Sequence, residues 1–255
     1  MSATPSAGGR AAARLRVATF NVRELLDDTV AVRELLRGLT PDVVCLQEVP
    51  THVLARHRLG VLAADTGLWV AAAGPGGAGT AVLTATRVDV RAAGVRALPT
   101  PCRRGWRPVR RRGTAEAVVR VPLAGGWSAA VLVRSVHLGL EAGERFDHLS
   151  RLVPGAAVDG PLTGWRDAPT VLAGDLNEEP GGPVHQRLST VLVDVAQAAG
   201  AAAPTFPARA PRRRLDVLLA DRQLSVLQVR TPADHPGASD HLPVVADLLV
   251  PAGPR

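Results

Sequence analysis

The chain contains no lysine and no tyrosine, and aromatic residues make up only 3% of its 255 positions. Every basic residue is therefore arginine. The formal net charge is +7, which favours polyanions such as nucleic acid, anionic lipid head groups or phosphorylated metabolites. Ala, Gly, Pro and Arg are all abundant, so part of that charge is a compositional bias. There are only two cysteines. Cys45 lies in a strand-like apolar run and Cys102 in a basic segment, which excludes a disulfide framework and a Cys-based metal site. No apolar run is long enough to span a bilayer. The first thirteen residues lack the uninterrupted apolar stretch of a signal peptide. They predict a loose tail over 1–13 and a cytoplasmic protein. No internal repeat or dividing linker is present.

What is present reads as one domain, residues 14–250, large enough to bury a sizeable core. Arg14 to Val22 predicts a first strand, and Glu24 to Leu39 an amphipathic helix that stops before Thr40-Pro41. Asp42 to Val49 is nearly all apolar and predicts a central buried strand. A second helix is expected within Thr51 to Ala64. Leu68 to Ala72 and Thr80 to Thr84 predict strands around the Gly74–Gly79 turn. That turn lacks the Lys-Ser/Thr and the helix of a P-loop, so it predicts a hairpin. Further strands are expected over Arg87–Val95, Thr114–Val121, Trp127–His137, Val171–Asp175, Leu215–Ala220, Leu224–Val229 and Val244–Val250. Glu141–Val153 and Pro183–Val191 predict short helices. Many strands with few short helices predict an α+β fold with a packed pair of sheets.

Polar residues at the ends of apolar strands mark the candidate site, because a charge buried without a partner is costly. Asn21 ends the first strand and Glu48 the second. His137 ends Val131–Val136, and Asp175 and Asn177 follow Val171–Gly174. Asp216 opens Val217–Leu219, and Ser239-Asp240-His241 precedes the last strand. Taken singly, each is a capped strand end. Together, oxygen donors from Asn21, Glu48 and Asp240 suit a hard divalent cation such as Mg²⁺. Two separate histidines beside carboxylates suit proton transfer at a phosphoester. Asp216 is placed to orient His241.

The ordered set Thr19-Phe20-Asn21, Leu46-Gln47-Glu48, Val136-His137-Leu138-Gly139-Leu140, Gly174-Asp175-Leu176-Asn177, Arg214-Leu215-Asp216 and Ser239-Asp240-His241 resembles the endonuclease/exonuclease/phosphatase superfamily. That group includes pancreatic-type DNases, apurinic endonucleases, bacterial sphingomyelinases, inositol polyphosphate 5-phosphatases and poly(A) deadenylases. The His-Leu-Gly-Leu form is similar to its DNase, sphingomyelinase and phosphatase branches. The resemblance implies a four-layer α/β sandwich, two mainly antiparallel sheets face to face with helices outside. It implies Mg²⁺- or Mn²⁺-dependent hydrolysis by in-line attack of water. Glu48 would be the principal metal ligand, with Asn21 and Asp240 near the metal. Asp175 and Asn177 would orient water or phosphate. His241, paired with Asp216, would stabilise the phosphate or move a proton, and His137 would stand near the leaving group. Glu116 is the nearest candidate carboxylate for His137.

Arg112 and Arg214 are the candidate substrate-binding arginines. Within the Pro- and Arg-rich segment Arg96–Arg112, the stretch Arg103–Arg112 with Trp106 reads equally as a nucleic-acid grip or as a solvated loop. The leading expectation is a monomeric phosphodiesterase acting as a nuclease on DNA or RNA. The alternatives are a phosphomonoesterase on a small or lipid phosphate and a catalytically silent, Arg-rich nucleic-acid binder. The remaining histidines, His52, His57, His148, His185 and His235, read as ordinary surface or helix residues.

Overall fold

The computed structural model describes residues 11–52, 54–99, 110–153 and 160–253. Its strands are β1 (Ala12–Asn21), β2 (Val43–Gln47), β3 (Leu68–Ala73), β4 (Ala81–Ala85), β5 (Asp89–Ala97), β6 (Gly113–Arg120), β7 (Pro122–Leu123), β8 (Gly126–Trp127), β9 (Val131–His137), β10 (Thr170–Asp175), β11 (Val193–Asp194), β12 (Asp216–Ala220), β13 (Ser225–Arg230) and β14 (Val244–Pro251). Its helices are α1 (Thr29–Leu39), α2 (Ala55–Asp65), α3 (Ala142–Leu152), α4 (Pro183–Ser189) and α5 (Val195–Ala198).

Two six-stranded sheets form, in the orders β13-β14-β1-β2-β4-β3 and β11-β12-β10-β9-β6-β5. Each has a single parallel pair at its centre, β1 with β2 and β10 with β9, flanked by antiparallel strands. Period-2 alternation sends one face of each strand to the partner sheet and the other to the helices. Leu15, Val17, Val43 and Cys45 meet Val133, Val171, Ala173 and Leu218 between the sheets. Phe20, Val44 and Leu46 pack under Leu35, Leu36, Leu59 and Leu62 of α1 and α2. Leu172, Val217 and Leu219 pack under Leu149, Leu152, Val184 and Leu188 of α3 and α4. The result is the expected four-layer sandwich, helix–sheet–sheet–helix. No helix among the described residues is long and apolar enough to cross a membrane.

Some boundaries differ from the expectation. Ala12 and Ala13 are not tail but pair with Pro251 and Val250, and the small Ala13 side chain fits the inter-sheet layer; residues 1–10 lie outside the described residues. The first helix begins at Thr29 rather than Glu24. The Asp28 carboxylate accepts from Val30 N and Ala31 N and caps it there. Arg23, Glu24 and Leu25 instead form a tight turn with φ of 44°, 55° and 56°. The expected strand from Trp127 breaks at 128–130 before β9.

Candidate active site

The register of the sheets brings the polar strand ends to one edge of the sandwich. Asp175 is opposite both Asp216 and His137 in the second sheet. Asn21 is opposite Gln47 in the first, with Glu48 one residue on. His241 precedes β14, which runs antiparallel to β1. The close approach of β9 and β10 requires Gly174, since a Cβ there would run into the Val136 carbonyl. The sheets are tied at this edge by Gln47 Nε2 donating to Ser135 Oγ (3.1 Å) and Ser135 Oγ donating to Leu46 O (2.8 Å).

Asp175 sits at the centre. Asn21 Nδ2 donates to its Oδ2 (3.2 Å) and Asn177 N to its Oδ1 (2.8 Å). Its Oδ2 lies 3.6 Å from His137 Nε2 and 3.8 Å from His241 Nε2. Burial, with the Asp216 charge adding to it, raises the Asp175 pKa to about 7.

The two imidazoles are tuned in opposite directions. His241 Nδ1 lies 2.8 Å from Asp216 Oδ2. Burial disfavours its charged form, but the charge and hydrogen bond of Asp216 overcome that and raise its pKa to about 9. Phe206 packs on its ring at 4.8 Å between centroids. Thr205 Oγ1 accepts from Leu215 N and Asp216 N and fixes the start of β12. His137 is held well below its ordinary range by burial first and by Arg112, Arg110 and His241 next. Asn177 Nδ2 donates to Leu138 O (2.9 Å), which fixes the amide orientation. The same NH₂ group lies 3.1 Å from His137 Nε2, so that nitrogen accepts and the ring proton sits on Nδ1.

The Glu48 wall is more open. Glu48 Oε1 is 3.8 Å from His137 Nε2 and 3.9 Å from Arg110 NH1. Glu48 and Asn177 both have left-handed backbones, φ 51° and 50°. Such conformations cost a non-glycine residue about 1–3 kcal/mol and cluster at functional sites. Arg110 NH2 also donates to Glu24 Oε1 (2.7 Å) from the strained 23–25 turn. Ser239 Oγ donates to the Asn21 carbonyl (2.7 Å) and lies 3.4 Å from Asp240 Oδ1. Asp240 Oδ2 is 3.6 Å from Arg23 Nε.

Arg112 is buried beside this site, with its Nε lacking a hydrogen-bond partner among the described residues. Burial, and then Arg110, lowers its pKa. Arg214 does not join it. The guanidinium expected at the phosphate is instead buried, its NH2 donating to Asp194 Oδ1 at 2.6 Å and its NH1 without a hydrogen-bond partner among the described residues. Asp194 also takes His185 Nε2 at 2.8 Å, so His185 lies in a helix, α4, as one of its expected readings had it, but as a buried partner. His148 is likewise buried, against Pro99 O. Glu116 is not the partner of His137. It is taken by Arg96 (2.9 Å) and Arg134 (3.6 Å) on the same sheet. Within Arg96–Arg112, residues 100–109, including Arg103, Arg104, Trp106 and Arg107, lie outside the described residues.

The sequence profile of the Endonuclease/Exonuclease/phosphatase family matches residues 18–241. The chain belongs to this family. Endonuclease/exonuclease/phosphatase proteins are phosphoester hydrolases that generally need a divalent metal. No curated protein sequence matches the chain. Solved structures share its fold at low identity. A conserved protein of unknown function from Enterococcus faecalis V583 aligns over 94% of this chain and 100% of its own, at 23% identity and TM-score 0.72. A family member from Bacteroides vulgatus covers 92% and 98%, at 20% identity and TM-score 0.74. A mannosyl-6-phosphatase from Bacteroides thetaiotaomicron covers 92% and 99%, at 18% identity and TM-score 0.73.

The sequence does not mark Thr205, Phe206 or Glu24 as supporting residues. Thr205 and Phe206 sit in an Ala/Pro loop with no periodicity, and Glu24 falls in the expected first helix. Arg110 lies within the Arg-rich stretch and Ser239 beside Asp240-His241, so both carry a local signal.

Proposed function

We propose that the protein is a divalent-metal-dependent phosphoester hydrolase that delivers water to phosphorus. The observation that carries this reading is Asp175, whose Oδ2 stands within 3.8 Å of the Nε2 of both histidines while two amide donors hold its oxygens. A scaffold has no use for that convergence.

The residues fit a hard cation such as Mg²⁺ or Mn²⁺. Glu48 faces the cleft with an Arg110 guanidinium beside it, a positive charge where a cation would sit. Asn21 and Asp240 offer further oxygen donors at the same edge. A cation bound there supplies charge that polarises a phosphoryl oxygen. A second grouping, Asp175, Asp216 and His241, has ligand atoms within 4.8 Å of one another. Its His241–Asp216 hydrogen bond already uses one carboxylate oxygen and one ring nitrogen. We therefore read it as a proton network and assign the cation to Glu48.

Asp175, ionised above about pH 7, accepts the proton of the attacking water. Asn21 and the Asn177 backbone keep its oxygens in place. His241, charged up to about pH 9, donates from Nε2 to a phosphoryl oxygen while Asp216 keeps the Nδ1 proton. Arg112 adds a fixed charge to the same phosphate. His137 stands near the leaving group as a neutral ring and positions it; as the water oxygen bonds to phosphorus the P–O bond to that group breaks, and the departing oxygen takes its proton from solvent.

Turnover of bis-p-nitrophenyl phosphate with Mg²⁺ or Mn²⁺ tests this. We expect Glu48→Ala to lower kcat/KM by at least ~10²-fold. No turnover with either metal, or equal turnover in the variant, would overturn it. A second reading at the substrate level is a nuclease, since Arg110, Arg111 and Arg112 all line the cleft, although the rest of the described lining favours a small phosphoester. Plasmid DNA, RNA, abasic duplex and phosphomonoesters, compared at one metal concentration, test it. Cleavage of monoesters alone would exclude it.

A further inference from the structure

A cavity of about 410 Å³ opens beside the reaction edge, with Glu48 and His137 in its wall. Its described lining includes neither Asp216 nor His241, so it lies on the side of the site away from the charged imidazole. The N-terminal half of α2, the β3–β4 turn and residues 110–112 enclose it.

The lining has two chemistries. Val49, Pro50, Leu59, Ala73 and Pro75 present apolar surface. Arg56 and Arg111 also line it, both exposed, and neither makes an ion pair or hydrogen bond among the described residues. Arg110 differs, since it is tied to Glu24. Arg112, more than nine-tenths buried, also lines it, with an Nε that has no hydrogen-bond partner among the described residues. A buried donor without a partner costs free energy that a ligand acceptor recovers.

A polynucleotide strand needs an open groove and flat side chains on which bases stack. The described lining holds no Phe or Trp. Its volume falls in the small-ligand range of roughly 300–1,000 Å³. We infer that this cavity is a subsite for the alcohol portion of a small phosphoester, a compact apolar or ring-sized group carrying a second negative charge. The scissile phosphate lies against Arg112, the apolar body against Leu59 and its neighbours, and the second anionic group between Arg56 and Arg111. Leu59, Arg56 and Arg111 then determine specificity. This rests on the phosphoester-hydrolase reading for the placement of the phosphate.

The test measures equilibrium binding by calorimetry, on the full chain with Mg²⁺, of methylphosphonate, phenylphosphonate and 4-phosphonobenzoate. None of these can be hydrolysed. Phenylphosphonate is expected to bind roughly tenfold tighter than methylphosphonate, as burial of a ring predicts. The added carboxylate is expected to tighten binding a further ~3-fold or more. Leu59→Trp fills the cavity and should abolish the phenyl advantage. Ala73→Phe narrows it from an exposed strand position and serves if the first variant does not fold. The double variant Arg56→Ala/Arg111→Ala should abolish only the carboxylate advantage. Equal binding of the methyl and phenyl compounds, unchanged preference in the filled variants, or tighter binding of a tetranucleotide than of 4-phosphonobenzoate overturns the inference. Parallel turnover of the matching phosphates separates the two claims. Turnover without size preference overturns the subsite alone. Ordered binding without turnover overturns the hydrolase reading alone, and neither binding nor turnover overturns both.

Discussion

Two buried His–Asp pairs, both at 2.8 Å, lie in the second half of this chain and have opposite fates. In the pair His185–Asp194, every valence of the carboxylate is used. One oxygen takes His185, and the other takes Arg214 and the backbone N–H groups of Ala196 and Gln197 at the start of α5. Burial alone would raise the Asp194 pKa, but His185 and Arg214 bring it down to about 2. His185 Nδ1 is used as well, accepting from Gly181 N. The pair is closed and holds α4 and α5 to the sheet. In the pair His241–Asp216, Asp216 Oδ1 is buried with no partner among the described residues, and His241 Nε2 is left to face Asp175. The same two residue types make scaffold where their bonding is complete and, in the proposed function, make chemistry where one atom is left over.

The largest effect expected from breaking this comparison is on rate. Asp216→Asn removes the charge that keeps His241 protonated, and kcat should fall by roughly 10²–10⁴-fold, the usual weight of an acid–base group. Tm should fall less than in the Asp194 variant below, because His241, unlike an arginine, can shed its proton when the countercharge is removed. A kcat within threefold of the parent would show that the open pair is scaffold too.

Asp194→Asn should do the reverse. It leaves Arg214 buried without its countercharge, which costs about 3–5 kcal/mol and lowers Tm by roughly 10 °C in a chain of this size. The kcat of the folded protein should stay within about twofold of the parent. A large loss of kcat at unchanged Tm would mean that Arg214 serves the substrate after all.

The pH profile sharpens the contrast. The rate should rise as Asp175 ionises near pH 7 and fall as His241 loses its proton near pH 9. A cation at Glu48 draws the lower limb to lower pH. Asp216→Asn should pull the upper limb down by a unit or more, whereas Asp194→Asn should leave both limbs in place. A flat profile across pH 6–10, or an upper limb indifferent to Asp216, would contradict the assigned roles.

The smallest effect is on stability. Asp175 has its folded pKa raised, so the folded state holds a proton that the unfolded chain releases. Stability is therefore lost as pH rises from about 4 to about 7. Asp175→Asn removes that loss. The metal-free variant should melt a few degrees above the parent at pH 8 and at the same temperature as the parent at pH 4. A lower Tm at pH 8 would show that the Asp175 charge is compensated.

Alternation of Leu15 with Arg14 and Arg16, and the apolar run Val43–Leu46, made the strands readable from local order, because burial on one or both faces writes a period into the sequence. Polar residues ending those runs marked Asn21, Glu48, His137, Asp175, Asp216 and His241, since a charge at the end of a buried strand needs a reason. The sequence by itself therefore determined the layers and the residue types at the reactive edge. It did not determine partnership. That Arg214 turns to Asp194, that Glu116 serves Arg96 and Arg134, and that Thr205 steadies Asp216 depend on contacts between residues far apart in the chain or on opposite sides of a strand. Local order carries no trace of such contacts. Only the tertiary structure decided which carboxylate was satisfied and which kept an open oxygen. That difference separates the His185–Asp194 pair from the His241–Asp216 pair.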